Sequence, residues 1–124
     1  MATRDLVSSI SPRPSIAPAV HSATVTGDPV DLNGFESATV SVVTGAITGD
    51  GLFTFKLQDS DTTDSGDFED VGLVSEPLLA SEGYKAGYVG TKRYVRAVLT
   101  KTSGTSIAAA VTIIRGHPHD RPTV

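Results

Sequence analysis

Phe53-Thr54-Phe55-Lys56-Leu57-Gln58 alternates apolar and polar residues without a break, and a period of two is the mark of a strand with one face in a core and one in water. Phe53, Phe55 and Leu57 point inward, and Thr54, Lys56 and Gln58 point outward. The same alternation recurs on either side. Ala38, Val40 and Val42 share one face of 37–44 while Thr39, Ser41 and Val43 share the other, and Val95, Ala97 and Leu99 face a core together with one face of Ile107 to Ile113. Strands are expected at 19–26, 29–32, 37–44, 52–59, 68–71, 84–89, 92–101 and 106–115. The last two read as a hairpin closed by Thr102-Ser103-Gly104-Thr105. A helix over 106–115 is disfavoured by Val111, Thr112, Ile113 and Ile114, whose branched Cβ atoms suit a pleated sheet. Ala108, Ala109 and Ala110 mark a place where another layer or chain comes close.

Between these runs stand Gly27-Asp28, Asn33-Gly34, Asp50-Gly51 and Ser65-Gly66, turn pairs that supply left-handed positions. Many short strands at regular spacing predict an all-β domain, an antiparallel β-sandwich or jelly-roll-like barrel. At 124 residues the chain holds one core. It has neither Trp nor Cys, so Val, Ile, Leu and Ala must fill that core, and disulfides, thiolate nucleophiles and cysteine zinc sites are out of reach.

Residues 1–18 read as an extended N-terminal arm ahead of a single domain over 19–124. Pro12, Pro14 and Pro18 remove three donors and favour polyproline II, and Asp5 is placed to cap one helical turn. A solvated tail has no use for Leu6, Val7, Ile10 and Ile16, which are therefore expected to be ordered against another subunit or a larger assembly. Met1 to Asp5 lacks the apolar run of a signal peptide, and no stretch has the length of a membrane span. A soluble protein made in the cytoplasm is expected, with no membrane partner.

The net charge of −4 hides a strong asymmetry. Residues 1–27 carry +1, residues 28–82 set twelve acids against Lys56, and residues 83–124 set seven bases against Asp120. Either the two halves interleave in one sheet and neutralise each other, which the adjacency of sequential segments favours, or the acidic half of one copy meets the basic half of another. Nucleic acid is a poor partner for an acidic chain without a basic aromatic stripe.

Motifs for chemistry are weak. In Asp59-Ser60-Asp61-Thr62-Thr63-Asp64-Ser65-Gly66-Asp67-Phe68-Glu69-Asp70, the first three calcium-ligand positions of an EF-hand are met, but Asp64 replaces the required Gly and Asp70 the bidentate Glu. It reads as a solvated hairpin connection rich in turn hydrogen bonds. His117-Pro118-His119 lacks a third ligand, since His21 has no spacing relation to it. Thr44 to Gly51 resembles a phosphate loop only in its glycines, as it joins two strands and not a strand to a helix. The reading is therefore of a non-enzymatic chain without a cofactor.

Two longer phrases add a resemblance. Tyr88-Val89-Gly90-Thr91-Lys92-Arg93-Tyr94-Val95-Arg96, then an apolar strand, then Ile114-Arg115-Gly116-His117-Pro118-His119 close the chain. Earlier, Val30 to Val40 (VDLNGFESATV) precedes Phe53 to Asp61 (FTFKLQDSD). In that order, over about residues 18 to 122, the chain resembles small virion proteins of tailed bacteriophages, encoded beside the major capsid protein and read as head decoration or cement proteins. The resemblance implies a virion location on the capsid surface, the major capsid protein as partner, and self-association, with trimers favoured and dimers next. It also implies that Arg115 to His119 end the final strand. A neck, tail or fibre-associated position is the alternative, and a carbohydrate- or calcium-binding β module an alternative of another class. On 92–96, alternation turns Lys92, Tyr94 and Arg96 away from the core, either across to acidic strands or towards a partner. These three join Leu6, Val7, Ile10 and Ile16 as interface candidates.

Overall fold

The computed structural model describes residues 3–123, with 72–74 in backbone only. Met1, Ala2 and Val124, at the outer limits of the expected arm and domain, lie outside the described residues. The strands are β1 (Ile10–His21), β2 (Val25–Thr26), β3 (Val30–Asp31), β4 (Phe35–Thr48), β5 (Leu52–Ser60), β6 (Glu69–Val74), β7 (Gly83–Tyr88), β8 (Tyr94–Ser103) and β9 (Ser106–Pro118). One sheet runs β1-β9-β4-β7; the other runs β2-β8-β5-β6, with β3 also on β8. Every pairing is antiparallel. The two sheets pack face to face as the sandwich that the alternation predicts.

The core lies between them. Val40 and Val42 from β4 and Ile107, Val111 and Ile113 from β9 meet Phe53 and Leu57 from β5 and Val95, Ala97 and Leu99 from β8, all fully buried. Those are the inward faces read from the sequence.

The partners of β8 and β9 differ from the expectation. The two strands do not form a hairpin: β8 pairs with β5 and β9 with β4. Their connection crosses from one sheet to the other, as does the one between β4 and β5. The two crossings touch. Gly104 has φ +82°, and a Cβ there would lie 2.3 Å from the Asp50 carbonyl oxygen, so its lack of a side chain sets the depth of this corner. Of the turn pairs, Gly34 and Asp50 take left-handed values, whereas Gly27 is required by close approach, its Cβ position being 2.4 Å from Ser15 Oγ.

The expected arm boundary at residue 18 is also corrected. Residues 10–18 belong to β1, which pairs along β9 from Ile10↔Gly116 to His21↔Ile107 with shifts around Ser15 to Ala19. Prolines are tolerated because β1 is an edge strand, whose outer donors need no ladder partner. At the shift, Ser15 reaches the other sheet: its Oγ accepts from the Ala97 N–H at 3.0 Å and donates to the Asp28 carbonyl at 3.0 Å. Ile16, 2% exposed, enters the core beside it.

Ahead of β1, Asp5 accepts from the Val7 N–H at 3.0 Å and from Ser8 Oγ at 2.5 Å, holding a single 3-10 turn over Val7–Ser9. The Ser8 hydroxyl pulls the Asp5 carboxyl below its ordinary value. Thr123 fastens this turn to the end of the chain, bonding the carbonyls of Val7, Ser8 and Ile10. Among the described residues no helix is long and apolar enough to cross a membrane.

Candidate functional site

The residues expected to face a partner divide into those the fold consumes and those it leaves outside. Ile16 is core, and Ile10 is half-buried. Leu6 and Val7 remain 62% and 78% exposed. Lys92 lies outside and pairs with Asp61 at 3.0 Å; Tyr94 is half-buried with the Arg93 guanidinium 5.2 Å from its ring centre.

Arg96 is turned away from the sandwich core, as alternation requires, yet it is not a surface residue. Only 8% of it is exposed, because the 61–68 connection folds over it. Its guanidinium lies 4.1 Å from the Phe68 ring centre and donates to Gln58 Oε1 at 2.9 Å and Ser65 Oγ at 3.1 Å. This burial pushes its pKa down. As a partner-facing candidate, Arg96 is corrected to an internal clamp on the acidic connection.

That connection does close a hairpin, between β5 and β6. Within it Thr62 Oγ1 donates to Asp67 at 2.8 Å, and the Gly66 N–H to Asp64 at 3.2 Å. Its flanking carboxylates hold fold partners: Tyr88 OH donates to Asp59 at 2.8 Å, and Gln58 Nε2 to Asp70 at 2.9 Å. Desolvation, then the Asp59 bond, raises the Tyr88 hydroxyl to about 12. Asp70 is pulled down by Gln58 and Lys56. Among the described residues no three His, Asp or Glu groups converge as metal ligands would.

The histidines are likewise dispersed. His21 Nε2 lies 3.2 Å from the Ala109 carbonyl, His117 Nδ1 lies 2.8 Å from Ser37 Oγ, and His119 Nε2 meets Glu36. The final strand does not end at Arg115 but continues to Pro118, which pairs with Phe35. The left-handed kink falls on His117 itself, φ 48°. Arg115 seals this end of the sandwich, stacked on Phe35 at 4.4 Å and bonded to Ser11 Oγ at 2.6 Å and the Asp31 carbonyl at 3.0 Å.

An open cleft of about 660 Å³ sits beside that seal, walled by Leu32, Phe35, Tyr88, Val89, Lys92 and Arg93 among others. Its charges are paired. Arg93 forks onto Asp31 at 2.9 and 2.8 Å, which holds the Asp31 carboxyl below its ordinary value and Arg93 above its own. Lys92 takes Asp61, and Glu36 takes His119. The acidic middle and the basic end of the chain thus meet inside one molecule.

A broad surface without charge lies elsewhere, on the outer face of the β1-β9-β4-β7 sheet. Register aligns Pro12, Pro14 and Val20 of β1 with Ile114, Thr112 and Ala108 of β9, and Thr39, Ser41 and Val43 of β4 with Ile114, Thr112 and Ala110. Val20 is 71% and Val43 58% exposed, while the alanines are half-buried between them. Lys85, opposite Ser41 on β7, marks the rim. The other sheet's outer face instead carries Lys56, Asp70 and Arg96. The alternation of β4 and β9 was legible in the sequence; what hid the face was the assignment of residues 10–18 to an arm.

No family model matches the sequence, and no curated protein matches it significantly. Solved structures do. The chain is similar to a chain in a structure of infectious bursal disease virus, Gx strain, with TM-score 0.54 and 11% identity over 91% of this chain and 33% of that one. The SPBc2 prophage-derived protein YomS gives TM-score 0.49 and 13% identity over 90% and 98%, and PirA gives 0.45 and 14% over 94% and 100%. At these identities the likeness is one of fold.

Proposed function

We infer that this chain is a structural protein of a virus particle, a capsid decoration or cement protein that binds the outer head surface and braces contacts between capsomers without catalysing a reaction. The observation that carries this reading is the uncharged outer face of the β1-β9-β4-β7 sheet. Charged side chains in water protect a protein surface from association, and a face without charge that spans several strands and exposes Val20 and Val43 has the character of a docking surface. A cement protein works by burying area across subunit boundaries, for which a rigid sandwich with one such face is sufficient. The phage resemblance of the sequence supports this role, and the fold shared with the infectious bursal disease virus structure is in keeping with it. Leu6 and Val7, exposed on the turn tied down by Thr123, add an apolar point of attachment at the same end as β1 begins.

The test is binding to purified heads that lack the protein. Val43 and Ala110 face each other across β4 and β9, so Val43→Lys or Ala110→Lys would place an unpaired ammonium in the contact and weaken cosedimentation by roughly tenfold or more. Lys56→Ala, on the opposite sheet, is the control. Equal binding by all variants would remove the face from the proposal. Copy number on intact particles separates the positions: hundreds of copies fit a head coat, whereas about six to twelve would assign the chain to a neck or tail ring.

A further inference from the structure

The sandwich has four lateral edges, and three are guarded. β1 carries Pro12, Pro14 and Pro18; β6 opens with Glu69 and Asp70; β2 and β3 are two residues each. Prolines, charges and shortness are the devices that keep edges from pairing. β7, Gly83-Tyr84-Lys85-Ala86-Gly87-Tyr88, has no proline and a single charge.

Its free side is defined by its register on β4. The Thr44 N–H donates to the Glu82 carbonyl at 2.9 Å, and the pairing continues from Val43↔Gly83 to Ala38↔Tyr88 without a shift. In an antiparallel ladder alternate residues bond to a given neighbour, so Glu82, Tyr84, Ala86 and Tyr88 bond to β4. Gly83, Lys85 and Gly87 therefore turn their N–H and C=O groups outward, and all three residues are exposed.

The two glycines are unexplained by the monomer. Neither has a positive φ, and a Cβ built on either meets nothing within 4 Å. Glycine weakens a strand interior, and where the fold does not need it, it marks a site approached by another backbone.

We propose that β7 is a self-pairing edge, where two copies of this chain join antiparallel about a twofold axis at Ala86 into one continuous eight-stranded sheet. The sequence selects this register. Both cores stay on one side of the joined sheet only if opposing residues share a face, so the axis passes through a residue; centres on Tyr84 or Gly87 pair only 83–85 or 86–88 within the strand, whereas centres on Lys85 or Ala86 pair 83–87 or 84–88. A centre on Lys85 sets two ammonium groups against each other. A centre on Ala86 sets Lys85 against Gly87 of the second copy, with a hydrogen-bonded pair on each side of the axis, and lays Tyr84 beside Tyr88 of the second copy as an aromatic cross-strand pair. A centre on Gly87 forfeits that aromatic pair. The pairing yields a dimer, not a trimer, and does not depend on the virion reading.

The experiment uses the free, purified full chain. Sedimentation at high micromolar concentration is expected to give twice the 12.8 kDa chain mass; a monomer or a trimer there overturns the proposal. The chain has no cysteine, so single additions report unambiguously. Ala86→Cys should oxidise to a disulfide-linked dimer under mild conditions, because opposed non-hydrogen-bonded residues sit about 4.5 Å apart at Cα, within disulfide reach. Lys85→Cys, offset from its mate, should crosslink at least tenfold more slowly; equal rates refute the register. Gly87→Pro deletes an outward donor without touching the β4 ladder and should give a monomer with unchanged circular dichroism. A folded Gly87→Pro dimer refutes the edge, and should that variant fail to fold, the cysteine pair still decides.

Discussion

Ser15→Ala tests whether the first eighteen residues are arm or domain. Ser15 is 3% exposed, and its Oγ bridges the two sheets, accepting from the Ala97 N–H and donating to the Asp28 carbonyl. The bond from the Asp28 N–H to the Ser15 carbonyl at 2.7 Å survives the substitution. Alanine leaves the Ala97 N–H without an acceptor in a residue that is 0% exposed, and an orphaned buried donor costs about 1–3 kcal/mol. Asp28 is exposed, so water replaces its lost donor and little is added. The expected loss is about 2 kcal/mol. With an unfolding entropy of about 2.1 cal/mol/K per residue, a 124-residue chain loses roughly 4 °C of Tm per kcal/mol, or about 8 °C here. Urea titration gives the free energy and calorimetry the Tm, with Ser22→Ala, at an exposed position just past β1, as the control. A change below about 0.5 kcal/mol, the scatter of neutral surface substitutions, would refute the bridge and return residues 10–18 to an appendage.

Arg96→Ala removes a guanidinium stacked on Phe68 and bonded to Gln58 and Ser65; thermal unfolding should show a loss of about 2 kcal/mol with head binding unchanged, and lost binding at an unchanged Tm would make Arg96 an interface residue. Asp31→Asn tests the Arg93 fork by its pH dependence. The folded Asp31 carboxyl lies below its ordinary value of 3.8, so its contribution is fully present above that value and is lost as the pH falls through the folded pKa. Urea titrations across the acid range should show the wild type losing stability more steeply below pH 3.8 than Asp31→Asn, and parallel curves would mean that the pair does not contribute.

Alternation identified most of the core because it is a local property: Val40, Phe53, Leu57, Val95, Leu99 and Ile113 sit on the buried face that a period of two assigns to them. Pairing is not local. The step from Leu99 to Ile107 reads equally well as a hairpin or as a corner between sheets, since both need a short polar turn and a left-handed glycine. Its outcome depends on β4 and β5 already flanking each strand. The prolines misled for a related reason. Pro12 and Pro14 exclude a central strand but not an edge, and nothing near them in sequence reveals that β9 lies alongside. Ser15 could not be found at all from sequence, because its partner Ala97 lies 82 positions away.

The charge asymmetry and the location of the proposed docking face are connected. The pairs Arg93–Asp31 and Lys92–Asp61 each join the basic end to the acidic middle, and Arg96 is held under the acidic connection. These contacts use charge that would otherwise steer one copy towards another. They concentrate at the cleft end and on the sheet that contains β5, β6 and β8. The outer face of the opposite sheet is left almost uncharged, so any recognition there rests on shape and apolar contact, with the edge strands β1 and β7 at its two sides. A face without charge is poor at long-range steering and good at close packing, which suits a partner already abundant at the site of assembly. The proposed pairing along β7 would set this face of two copies side by side, with Lys85 of each copy brought from the rim to the seam.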